Sequence, residues 1–69
     1  MANMTKEELE ITDKVFRYFM AEQAQRIKSS VWEGALDVAG DHIDALRETM
    51  SVYSVVKKEL ESRESLEEL

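Results

Sequence analysis

The side chains best equipped for chemistry gather around the middle of the chain. His42 is the one histidine, and Asp37 and Asp41 lie within reach of it in sequence. A histidine oriented by a carboxylate is a common general acid–base pair. Glu33, Asp37, Asp41 and Asp44 follow at steps of four, four and three. On one unbroken helix that spacing lines up carboxylates as oxygen donors for a hard cation such as Mg²⁺. Both readings are weak. Gly40 interrupts the acidic row, whose ordinary role is a solvated face. His42, just after that glycine, is expected as an exposed residue in the first turn of a helix. Cysteine is absent, and no serine sits in a strand-to-helix nucleophile elbow. The expectation is therefore no enzyme, no catalytic residue, no cofactor and no metal. A carboxylate–metal enzyme ranks last among the functions considered.

Binding chemistry is better represented. Trp32 is a residue type enriched in protein–protein hot spots, although its phase with Leu36, Ala39 and Ile43 also suits a cap on the end of a core. Ile11, Val15 and Tyr18 form a second apolar line beside the main one on the first helix. Val52 and Val55 lie off the main face of the last helix, with Val56 at its edge. These seven residues, Ile11, Val15, Tyr18, Trp32, Val52, Val55 and Val56, are the expected protein interface. Lys57-Lys58 is followed by Glu59 and Glu61, so no basic run forms. Fifteen acidic against nine basic residues give a net charge of −6, which disfavours a nucleic-acid backbone or an anionic membrane as a direct partner. The excess lies in the C-terminal half.

Helices must position these groups. Proline is absent and glycine occurs twice in 69 residues, a composition for an all-α chain. Thr5-Lys6-Glu7-Glu8 reads as a capping box that starts a helix over 5–28. Its apolar stripe is Leu9, Thr12, Phe16, Phe19, Met20, Ala24 and Ile27, with Gln23 as a polar member. Glu10–Lys14, Asp13–Arg17 and Glu22–Arg26 are i,i+4 ion pairs in the favoured order. Ser29-Ser30 is read as a break or bend, and Ser30 to Glu33 repeats the capping pattern, which sets a short helix over 31–39. Helical phase nevertheless continues across the serines. Gly40-Asp41 is the stronger break, a left-handed C′ glycine followed by an N-cap aspartate. The last helix spans 41–63 with Ile43, Leu46, Met50, Tyr53, Val56 and Leu60 on its main face. Residues 1–4 and the acidic stretch 64–69 are expected to fray.

The architecture that follows is a single all-α domain: an antiparallel helical hairpin or long–short–long three-helix chain. A chain this short rarely stabilises itself by its core alone. The surplus apolar lines are best covered by a second copy, giving a homodimeric helical bundle. The function expected is a small, acidic, oligomeric adaptor or regulator that works by binding another protein. The alternative is an acidic mimic of nucleic acid that blocks a DNA- or RNA-binding protein, of the kind phages and mobile elements encode. The N-terminal residues lack the pattern of a secretion signal, and no apolar run is long enough for a membrane span, so a cytoplasmic protein is expected.

Overall fold

The computed structural model describes residues 4–68. Two helices account for nearly all of them: α1, Lys6–Trp32, and α2, Leu36–Glu68. No strand occurs among the described residues. The helices pack against each other in a rod of 51 × 18 × 15 Å. Asp13 and Tyr53, at nearly equal distances along the chain from Gly34, are hydrogen-bonded, so the chain doubles back between the helices.

The start of α1 is made by the residues expected to make it. The Glu8 amide donates to the Thr5 hydroxyl at 3.1 Å, and the Thr5 amide donates to Glu8 Oε1 at 3.1 Å. Two of the amides left over at a helix start are satisfied reciprocally. The bonds from Thr5, its backbone amide foremost, hold the Glu8 carboxyl below its ordinary value. Acidic Glu7 and Glu8 in the first turn also suit the positive end of the helix dipole.

The end of α1 lies elsewhere than the local sequence suggests. Ser29 and Ser30 are inside the helix. The Gly34 amide donates to the Val31 carbonyl at 3.0 Å and the Ala35 amide to the Ser30 carbonyl at 2.9 Å. With Glu33 as C-cap and Gly34 at φ +80°, these two bonds are the Schellman motif. Glycine adopts that left-handed conformation without the penalty a Cβ brings. Because Gly34 reverses the chain, no second break is needed. The short helix expected over 31–39 does not exist, and the break expected at Gly40-Asp41 is absent. α2 begins at Leu36 and runs through both residues. The stretch 64–68, expected to fray, is also helical. Residues 1–3 and Leu69, likewise expected to fray, lie outside the described residues.

Burial in a two-helix molecule marks the sides that face each other. On α1 the buried or half-buried line is Leu9, Asp13, Phe16, Met20, Gln23, Ile27 and Ser30. On α2 it is Ala39, His42, Leu46, Thr49, Tyr53, Val56 and Leu60. Both alternate steps of three and four, the seam of a coiled coil. Four members of each expected main stripe are correct: Leu9, Phe16, Met20 and Ile27, then Leu46, Tyr53, Val56 and Leu60. The others shift. Ile43 and Met50 are exposed, and the seam passes through His42 and Thr49 instead. Phe19 is 46% exposed and Ala24 is also outside, Thr12 is half-buried beside the seam, and Asp13 takes a seam position, while Gln23 holds the place expected of it as the polar member of the stripe. Thr49 tolerates its place because its hydroxyl donates to the Ala45 carbonyl at 2.9 Å, leaving its methyl to pack.

Candidate interaction surfaces

Polar residues of the seam form a cluster that joins the two helices. The Tyr53 hydroxyl donates to Asp13 Oδ1 at 2.5 Å, and Arg17 Nη2 lies 2.6 Å from Asp13 Oδ2. Phe16 meets the Tyr53 ring with centroids 6.0 Å apart and planes tilted by 39°. Asp13 is buried, and a buried carboxylate is tolerable when its oxygens are both engaged. The bond to Asp13, assisted by burial, pushes the Tyr53 hydroxyl above its ordinary value, since a phenolate there would lose the bond and face the carboxylate. The cluster ties α1 to α2. Of the other i,i+4 pairs expected on α1, neither Glu10–Lys14 nor Glu22–Arg26 closes into an ion pair.

His42 is half-buried in the seam, in the second turn of α2. The expectation of an exposed first-turn residue fails because α2 starts earlier. Asp37, Asp41 and Asp44 do share one continuous helix, with Glu48 four residues on. Among the described residues, however, no three His, Asp or Glu side chains come together as a metal site. Gln23 is buried, and its Oε1 accepts no hydrogen bond from a described residue.

The exposed surface carries the remaining candidates. Ile11, Val15, Tyr18, Val52 and Val55 are all more than half exposed, and Trp32, at the end of α1, is 89% exposed. Trp32 therefore does not cap the core. It borders a shallow open depression with Gln25, Lys28, Ser29 and Val31. Val56 is 1% exposed and is spent in the seam, so it is withdrawn from the interface set. Seven large exposed residues were not expected at the surface from sequence: Phe19, Val31, Leu36, Val38, Ile43, Met50 and Leu66.

Ile11, Tyr18 and Trp32 lie on the outer face of α1, away from the seam; the others sort onto two flanks. Each helical step rotates by about 100°, so a residue before a seam position and one after it fall on opposite sides. Phe19 precedes Met20, and Val52 precedes Tyr53. Both line one depression together with Phe16, Thr49, Ser51 and the acidic Glu48, so the preceding flanks of the two helices share one side of the rod. Val31, Ile43 and Met50 follow Ser30, His42 and Thr49, and lie on the other side; Leu36 is one heptad before Ile43. The sequence signal for this division was present in the seven-residue spacing of Leu36, Ile43 and Met50.

Comparison with protein-family models, with curated proteins and with solved structures finds no match for this chain. No described helix is long and apolar enough to cross a membrane.

Proposed function

We propose that this protein is a non-enzymatic adaptor or regulator that self-associates as a dimeric helical bundle and acts by binding another protein. One observation carries the reading. Among the described residues only Leu9, Ala39 and Val56 are buried apolar residues, whereas thirteen large hydrophobic side chains are exposed. The accessible surface is 5391 Å², against about 4,500 Å² for a compact monomer of 8.0 kDa. The excess is close to the ~800 Å² that each partner of a standard interface buries. The flank with Val15, Phe19, Val52 and Val55 is the side on which a second copy packs, forming an antiparallel pair of hairpins. Its open depression supplies a seat for side chains of that copy.

Sedimentation equilibrium tests this. The expected mass is at least twice 8.0 kDa, and the thermal midpoint rises with protein concentration, as mass action requires. Changing both Val52 and Val55 to Glu places unpaired charge in the contact and dissociates the dimer. A double variant with unaltered mass and stability would remove this flank from the proposal.

A nucleic-acid mimic remains the second reading because Asp37, Asp41, Asp44 and Glu48 form an unbroken acidic row on α2, all exposed. A mimic's hold on its target weakens steeply with salt, whereas an apolar adaptor contact does not.

A further inference from the structure

Resting on the reading of the chain as an interaction protein, we infer that the flank carrying Val31, Leu36, Ile43 and Met50 docks an acidic amphipathic helix of another protein. The charges around this strip run against the rest of the molecule. Acidic residues outnumber basic ones by fifteen to nine. Yet every ionisable residue on this flank of the two helices between positions 14 and 57 is basic: Lys14, Arg17, Lys28, Arg47 and Lys57. All five are exposed. Arg17 is shared with Asp13; the other four hold no ion pair among the described residues. Among the residues whose burial is described, carboxylates return on this side only at the end remote from the turn, at Glu7, Glu10, Glu61 and Glu64. The α2 acids Asp37, Asp41, Asp44 and Glu48 lie on other sides of that helix.

The shape of the strip selects a helix. Leu36, Ile43 and Met50 are spaced by heptads, about 10.5 Å apart at 1.5 Å per residue. A helix lying along the rod meets such a row with apolar residues on one stripe. An extended segment gains nothing here, since two helices offer no strand edge to extend. Between the ridges the flank is small: Ala21, Ala24 and Gly40. A Cβ built at Gly40 meets nothing within 4 Å, so no contact inside the chain requires glycine there. Glycine in a helix interior costs about 1 kcal/mol relative to alanine, and close approach of a docked helix gives that cost a use.

A second copy fits this flank poorly. A two-fold contact sets a patch against itself, and here every pairing of charges between positions 14 and 57 would set cation against cation. A bilayer or a nucleic-acid duplex is broader than the strip and meets the carboxylates at the end of the rod.

The test uses the full chain and two labelled synthetic helices about five turns long, both with leucines at heptad spacing. One carries glutamate at the remaining positions and the other lysine. Fluorescence anisotropy should show the glutamate helix binding, with affinity falling as salt rises, and the lysine helix not binding. Reversal of both Lys28→Glu and Arg47→Glu should weaken the glutamate helix by at least about tenfold. Ile43→Glu should weaken it as well, and Val52→Glu, on the opposite flank, should leave it bound. Circular dichroism of these exposed-site variants controls for folding. Equal binding of both helices, or indifference to the reversal, overturns the inference. So does capture of the chain by phosphatidylserine vesicles that the reversal abolishes while the glutamate helix stays unbound. Dimer mass is read on the same samples, so loss of self-association and loss of helix docking are distinguishable.

Discussion

The two ends of the rod are built differently. Remote from the turn, Leu9 and Val56 are the largest fully buried side chains among the described residues. Asp13, Tyr53 and Arg17 interlock beside them, the Thr5–Glu8 box closes the helix start, and Glu59 holds Arg63 at 3.1 Å. At the turn, Ser30 and Ala39 are buried, but Val31, Trp32, Leu36 and Val38 face solvent, and the Gln23 oxygen finds no partner among the described residues. Covalent connection accounts for the contrast. Helix ends joined by three residues stay together through the chain, whereas the far ends are kept together by packing. The apolar residues near the turn are thereby released for other surfaces.

The contrast is most sharply tested with one residue type. Leu9→Ala should cost about 2–5 kcal/mol in denaturant unfolding, as fully buried leucines do. Leu36→Ala, 68% exposed, should stay within about 0.5 kcal/mol. Equal losses would mean that the turn end is covered in the assembled protein, and the comparison would fail.

Tyr53→Phe comes next, at about 1.5–3 kcal/mol, the worth of a bond to a charged group. It also has a pH signature. Tyr53 has a raised folded value, so its contribution is complete below its unfolded value near 10 and is lost as pH climbs through the folded one. Urea midpoints taken across the alkaline range should fall more for the wild type than for Tyr53→Phe. Parallel curves would show that the bond to Asp13 contributes nothing.

The smallest effects belong to the two glycines, and their signs should differ. Gly34→Ala forces a Cβ into the left-handed region and should lower stability by about 1–2 kcal/mol. Gly40→Ala enters open space on a helix and should raise it by about 0.5–1 kcal/mol. Thermal midpoints moving the same way would show that one of the two backbone assignments is mistaken.

These glycines also show where sequence reasoning succeeds and stops. The all-helical class and the Thr5 start were legible because composition and a capping box are local signals. Eight of the seam residues were legible because they are apolar and periodic. The turn was not. Gly40-Asp41 has the better local credentials, a C′ glycine and a capping aspartate, while Gly34 is followed by Ala35, which has no side chain to cap with. Pairing of the two helices decides the matter, and pairing depends on residues far apart. Asp13 is acceptable in a seam only because Tyr53, forty positions away, and Arg17 engage it. His42 and Thr49 were passed over for the more apolar Ile43 and Met50. That error moved two of the strongest surface residues into the core, and with them the flank that bears the cationic strip.

The bond between Asp13 and Tyr53 also acts as a lock on alignment. Two helices with seams repeating every seven residues can in principle slide past each other by a heptad and find another fit. Here a slide in either direction brings Asp13 toward Leu46 or Leu60, where no hydroxyl meets its carboxylate. The polar residues that dilute this small core therefore reinforce the one alignment that the three-residue turn sets.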